Sequence, residues 1–364
     1  MSTVERYADC LERLVAAETP SSDADRLRLS HALLRGWGEP AFGRPPVERL
    51  VDGVPHLLWE PDPGSPHVLL LGHVDTVFAA GTTASRPFRR DGDLATGPGV
   101  FDMKAGLLIG LEAVATLADA SRVAMLVTGD EEVGSVTSRA LIEELASGAT
   151  AVLVLEPSLG GAFKTSRKGG SIYDLVFSGR AAHAGLEPER GRNALSELAR
   201  WALEVPQLAD PALGTTVTPT VARAGTANNV VPDQAVLTLD VRARSMAELL
   251  RVDEAVRSRT PASGVGVTVR GGINRPPLEA GASDRLVGLC REVALELGLP
   301  APRTAAVGGA SDANFTAALG VETLDGLGPE GDGAHTEHEW VDLTALQPRA
   351  RLVAGLIERL LEER

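Results

Sequence analysis

The sequence predicts an α/β protein with a central, mostly parallel sheet and a smaller α+β domain inserted into it. Three observations predict this. Residues 66–156 alternate short β-like runs with helical ones. After Gly169 the runs change to alternating apolar and polar residues, in the order β-α-β-β-α-β. Beyond residue 277 the α/β pattern resumes. The boundaries expected from these changes are a discontinuous domain at residues 1–169 and 278–364 around an inserted domain at 170–277. A chain of 364 residues also exceeds the size at which one hydrophobic core keeps growing.

Each element follows from its pattern. The N-terminal stretch MSTVERYADCLERLVAAE carries charges throughout and sets Val4, Tyr7, Leu11 and Leu14 on one helical face. It therefore reads as a surface helix and not as a signal peptide. PHVLLLGH, RVAMLVTG and AVLVLEP are short apolar runs, separated by the helical MKAGLLIGLEAVATLAD, opening at Met103, and SVTSRALIEELAS. Strands apolar on both faces and separated by helices suit a parallel sheet covered on both sides. In such sheets ligands collect at the carboxyl ends of the strands. SIYDLVFSG, TTVTPTVARAG, AVLTLDVRA and GVGVTVRGG alternate, while NALSELARWALEV and MAELLRVDEAVRSR are helical. That order predicts a ferredoxin-like antiparallel sheet with two helices on one face, inserted as a lid. SDRLVGLCREVALELG is the next helix, followed by a Gly-rich segment around Gly308 and a last helix over 343–362.

Composition narrows the function classes. Hydrophobic residues make up 44% of the chain but aromatics only 4%, so the core is filled mainly by Ala, Val and Leu, as in a globular protein. A net charge of −14 argues against a nucleic-acid surface. An anionic substrate stays possible, because metal ions and a few arginines reverse the sign locally. The two cysteines, Cys10 and Cys290, lie far apart in predicted helices. They exclude a cysteine metal site and read as small buried apolar groups of a reducing compartment. Apolar runs such as residues 151–155 are far too short to span a bilayer. The expected location is the cytoplasm.

The chemistry lies at the ends of the apolar runs. His73 and Asp75 stand two apart after a strand, so the carboxylate can orient an imidazole whose other nitrogen ligates a metal; a hydrogen-bonded strand-end histidine is the plainer alternative. Asp102 sits in GPGVFDMKAG before a helix, where its two oxygens can bridge two ions or cap the first turn. Glu131 and Glu132 follow Asp130, and three successive acids raise one another's pKa unless cations are near. One can ligate while its neighbour acts as general base, although a helix N-terminus also favours such a cluster. Glu156 follows an apolar run, where an unpaired buried carboxylate is costly. In GAHTEHEW either His335 or His338 can ligate. Two imidazoles with three carboxylates suit zinc, and a pair of ions clamps a hydrolytic water with a carbonyl oxygen. In the inserted domain His183 lies in GRAAHAG and Asn229 in a loop. Arg242 shares a strand face with Val236, Thr238 and Asp240, where it can fork onto a substrate carboxylate or pair with Asp240 or another acid.

LLLGHVDTV, GPGVFDMKAG, TGDEEVGS, LVLEPS, GRAAHAG, NNVVPDQAVLTLDVR and GGASDANF…HTEHEW occur in the order found in the co-catalytic dizinc metallopeptidase family. The chain resembles this family over nearly its whole length, and PFRRDGDLATGPGVFDMKAG and AAHAGLEPERGRNAL fit the branch of bacterial carboxypeptidase G. The resemblance implies a zinc-exopeptidase-like catalytic domain holding two Zn²⁺, with Co²⁺ or Mn²⁺ as substitutes. Asp102 would bridge, Glu132 and His335 would complete one site, and His73 and Glu156 the other. It further implies Glu131 as general base, Asp75 orienting His73, His183 stabilising an oxyanion, and Asn229 and Arg242 holding a substrate carboxylate. Two dications against three carboxylates leave little net charge to bury. The implied activity is release of a C-terminal amino acid, glutamate first, from a small peptide or N-acyl conjugate. An N-acyl-amino-acid deacylase is the alternative, and a non-catalytic binding protein of the same fold a remote one. The relatives' dimers imply a homodimer through the lid, with His183 serving the partner's site. DMKAG departs from the family's usual pair of glycines, so Ala105 is expected to tighten that turn.

Overall fold

The computed structural model describes residues 3–21, 23–262 and 264–362. The chain forms two compact units, Met1–Thr165 with Ala280–Ala306 and Ser311–Arg364, and Ser166–Glu279 with Val307–Ala310. Residues 307–310 join the inserted unit, where the Gly309 carbonyl accepts from Arg167 Nη1 at 3.0 Å and the Val307 carbonyl from Lys168 N at 3.4 Å.

The first unit opens with α1 (Thr3–Ala16) and α2 (Ala24–Phe42), the latter capped by Asp23, whose carboxylate accepts from Arg26 N. A hairpin of β1 (Val47–Val51) and β2 (Val54–Trp59) leads into β3 (His67–His73), α3 (Ala105–Ala115), β4 (Val123–Thr128), α4 (Arg139–Ser147) and β5 (Ala149–Val154). Strands β3, β4 and most of β5 are buried, as strands covered on both faces must be.

The inserted unit contains β6 (Gly169–Ser178), α5 (Ala194–Glu204), β7 (Thr216–Ala224), β8 (Gln234–Ala243), α6 (Met246–Arg257) and β9 (Gly266–Arg275). Its sheet runs β7-β8-β6-β9, antiparallel throughout. Alternate residues of the strands, Tyr173, Leu175 and Phe177 with Leu237, Leu239 and Val241, form a separate core with Leu198 and Trp201 of α5 and Leu249, Val252 and Val256 of α6. Phe177 meets Trp201 edge-on at 5.6 Å.

The chain returns through α7 (Asp284–Glu296), α8 (Ala313–Ala318), β10 (Thr323–Leu324) and α9 (Leu346–Glu362). The first unit's main sheet is β1-β2-β4-β3-β5-β10; β4, β3, β5 and β10 are mutually parallel, and the hairpin adds antiparallel at one edge. A smaller antiparallel sheet joins Arg89–Asp91, Leu94–Thr96, Trp340–Asp342 and Gly331–Asp332.

Three local expectations need correcting. Met103 does not open a helix: residues 100–104 form a wide turn in which Asp102 and Met103 have non-helical dihedrals, and α3 starts at Ala105. Ala105 has ordinary helical dihedrals, φ −67° and ψ −31°, so it tightens nothing. The close approach falls at Gly106, where an added Cβ would lie 2.1 Å from the Leu155 carbonyl oxygen, so only glycine lets α3 sit against the end of β5. The last helix begins at Leu346, because Asp342 accepts from Thr344 N and closes a turn there first. Cys10 and Cys290 are free thiols, and Cys290 is buried. Among the described residues no helix is long and apolar enough to cross a membrane.

Candidate active site

The strands deliver the side chains. Because β4, β3 and β5 are adjacent and parallel, their carboxyl ends lie side by side, carrying Asp130 to Glu132, His73 and Glu156 respectively. Asp102 arrives from the turn before α3, and His335 from the loop between Gly331–Asp332 and Trp340–Asp342. His73, Asp75 and Glu156 are buried. His335 adopts φ 63°, a left-handed conformation in which the loop turns its imidazole inward.

The two oxygens of Asp102 face different imidazoles. Oδ1 lies 3.3 Å from His73 Nε2, and Oδ2 lies 3.4 Å from His335 Nε2. His335 Nε2 also meets Glu132 Oε2 at 3.1 Å, and His73 Nε2 meets Glu156 Oε1 at 3.6 Å. Of the two histidines in this loop, His335 faces the cluster; the His338 side chain is 85% exposed and lies 3.7 Å from Glu337 Oε1. Glu131 offers an oxygen within 4.8 Å of ligand atoms of His73 and Glu156. The Asp75 carboxylate accepts N–H groups of Glu131 and Glu132, both at 3.2 Å, and the Ser21 hydroxyl at 2.6 Å. His73 Nδ1 lies 3.0 Å from the Asp75 main-chain carbonyl and 3.4 Å from its carboxylate. Asp75 thus holds the acidic turn with its carboxylate and the imidazole chiefly with its backbone.

The residues fit a metal pair. Since Nδ1 of His73 can only donate to a carbonyl, the neutral ring presents a lone pair at Nε2, pointing at the carboxylates of Asp102 and Glu156. Such an arrangement repels itself unless a cation lies between. Among the described residues, Asp102 Oδ1 and Glu132 Oε1 are buried with no hydrogen-bond donor. Electrostatics give the same sign. Burial alone would lower the His73 pKa, but the neighbouring carboxylates of Asp102, Asp75 and Glu156 favour the protonated ring and raise it well above its usual value. Bonds to Asp102 and Glu132 push His335 up to about 10. Burial raises Glu132, and the two imidazoles hold Asp102 well below the usual carboxylate range despite its own burial. The cluster attracts positive charge, and the N and O donors match a borderline dication.

In the inserted unit, His183 and Asn229 come together: Ala184 N donates to the Asn229 carbonyl at 2.9 Å, and His183 bridges Val230. Both side chains are exposed. His183 Nδ1 accepts from Gly185 N at 3.1 Å, which leaves Nε2–H as the donor of the neutral ring. The Arg242 fork is already occupied, with Nε to Asp240 Oδ1 at 2.8 Å and Nη2 to Oδ2 at 2.7 Å. Its guanidinium lies over Gly170, its cross-strand partner on β6.

Sequence reasoning missed the buried supports. Glu339 is 1% exposed and accepts N–H groups from Gly99, Phe101 and Asp102. Burial pushes its pKa up to about 7 against those three donors. Buried Asp312 accepts from the hydroxyls of Ser135 and Thr128, which flank the acidic turn, and Ser135 has φ 56°. The only signal was their place inside HTEHEW and GGASDANF, between residues that drew notice for other reasons.

The sequence pattern described as peptidase family M20/M25/M40 matches residues 69–359. The chain belongs to this family. Carboxypeptidase G2 of Pseudomonas sp. (strain RS-16) is 36% identical over 312 residues, covering 81% of this chain and 74% of that protein. A succinyl-diaminopimelate desuccinylase of Xanthomonas oryzae pv. oryzae is 29% identical over 325 residues, covering 82% of this chain and 85% of its own. Among solved structures, aminopeptidase PepT from Bacillus cereus superposes with a TM-score of 0.76 at 22% identity, over 98% of this chain and 99% of that one. A dinuclear metal-binding M20 peptidase from Bacillus subtilis gives 0.66 at 14%, over 99% of each. These superpositions show the shared M20 fold. The chain is an enzyme of the metallopeptidase and amidohydrolase class.

Proposed function

We propose that this M20 enzyme is a two-zinc exopeptidase that releases a C-terminal amino acid, glutamate first, from a peptide or N-acyl conjugate. The observation that carries it is Asp102, whose two oxygens face two different imidazoles, each with a further carboxylate beside it. Asp102 would be shared, His73 and Glu156 would hold one ion, and Glu132 and His335 the other. When bound, the pair supplies Lewis-acid polarisation of a carbonyl and acidifies water; Co²⁺ or Mn²⁺ can replace zinc.

The protein's own groups do the rest. Glu131 faces His73 and Glu156; it takes the proton of the attacking water and passes it to the leaving amine nitrogen. Asp75 keeps Glu131 and Glu132 in register through their two N–H groups. His183 Nε2–H is the donor for the developing oxyanion. Asn229, tied to the same loop, and Arg242 hold the substrate carboxylate, Arg242 exchanging its fork on Asp240. Strand β7 is a largely exposed sheet edge, which supports dimerisation through the inserted unit with His183 acting in the partner's site.

The likeness to a desuccinylase supports a second reading, N-acyl-amino-acid deacylation by the same cluster. Metal analysis followed by a hydrolysis panel tests both. Two zinc ions per chain are expected, with activity lost on chelation and restored by zinc, and fastest turnover of C-terminal glutamyl substrates. Activity that survives exhaustive metal removal overturns the metal assignment. Faster cleavage of N-acetyl or N-succinyl amino acids than of every glutamyl peptide selects deacylation.

A further inference from the structure

We propose that Glu339 is a positioning residue for the metal cluster, fastening the turn that presents Asp102 to the loop that presents His335. The inference rests on the assignment of Asp102 and His335 as ligands made above.

Glu339 Oε2 accepts from Gly99 N at 2.8 Å, and Oε1 accepts from Phe101 N and Asp102 N at 2.9 Å each. These amides precede α3, and Asp102 itself has non-helical dihedrals (φ −112°, ψ 96°). They belong to a segment that no helix ladder satisfies, so the buried carboxylate is their acceptor. The small sheet brings the partners together. Glu339 immediately precedes Trp340–Asp342, and Trp340 pairs with Thr96, from which the Asp102 segment departs. On the other side, an added Cβ at Gly333 would lie 2.7 Å from the His338 carbonyl oxygen, and Gly333 has φ 80°. The turn holding His335 is therefore tight and ends on Glu339. One side chain thus links two ligand-bearing segments that are distant in sequence. Its carboxylate is taken up by three N–H groups, so it acts through Asp102 and not on substrate. Groups that orient ligands in this way typically change metal affinity about 10- to 100-fold when removed.

E339Q is the closest isostere. It places an amide NH₂ where one carboxylate oxygen accepted, so at least one backbone N–H then faces a donor. The full-length chelated proteins are compared by circular dichroism and thermal melting. Zinc affinity is read by competition with a chromophoric chelator, and amide exchange of Gly99, Phe101 and Asp102 is followed by NMR in chelated wild type. The expected result is a folded E339Q with zinc affinity lowered about 10- to 100-fold, and protected amides in wild type before any metal is added. Unchanged zinc affinity in folded E339Q overturns the proposal, even if its melting temperature falls, since that is what a merely structural role predicts. Free exchange of the three amides in chelated wild type also overturns it, and this measurement decides if E339Q does not fold. Wild type binding fewer than two zinc ions refutes the two-metal reading instead, and the affinity of the zinc that does bind, with the amide exchange, still reads Glu339.

Discussion

The two units treat their polar residues differently. In the first, imidazoles and carboxylates meet from five segments of chain in a largely buried cluster whose lone pairs face one another. In the inserted unit His183 and Asn229 stay exposed on one loop pair, and Arg242 on its strand already has a bidentate carboxylate partner. The difference teaches that parallel strand ends bring charged groups from several segments together, whereas an antiparallel face leaves each polar residue near its in-strand and cross-strand neighbours.

The strongest way to break this contrast lies in the acidic turn. Glu131→Ala should keep two bound metals and lose about 10²- to 10⁴-fold in kcat, the usual reach of a general base. Glu132→Ala should instead lose metal occupancy, as read by metal analysis of the two variants. The reverse pattern exchanges the two roles.

A smaller effect is expected at Arg242. Lysine cannot present two parallel donors, so Arg242→Lys should lower kcat/KM by about 1.5 kcal/mol, the low end for a charge-assisted bond because Asp240 competes for the fork. An amidated substrate should erase the difference. If wild type and variant lose equally on amidation, Arg242 serves only its pair with Asp240.

The smallest effect concerns stability of the inserted unit. Bonds from Arg251, then from the Thr215 hydroxyl, hold the Glu248 carboxyl down to about 2. A folded pKa below the unfolded value of about 4.3 means the stabilisation is complete above that value and fades as pH falls towards 2. Thermal melts should show wild type above Glu248→Gln at pH 5 and the gap closing by about pH 2. A gap that is constant with pH would falsify the carboxylate's contribution.

Much of the fold was legible. The β-α alternation over 66–156 and the change of period after Gly169 reflect burial on two faces or on one, which side-chain patterns record directly. The strand-end positions of His73, Glu131 and Glu156 followed from the same patterns. The turn at Asp102 was less legible, because its conformation depends on an acceptor 237 residues away.

By itself, the sequence determined the alternation of elements, the inserted antiparallel unit and the strand-end location of most candidate ligands, since these depend on local periodicity and on the carboxyl-end rule. Only the tertiary structure decided that His335 and not His338 turns inward, that Asp75 spends its carboxylate on the backbone of the acidic turn, that Arg242 is held by Asp240, and that Glu339 supports Asp102. Each of these depends on which buried donor finds which acceptor across long stretches of chain, and residue type and spacing carry no record of that.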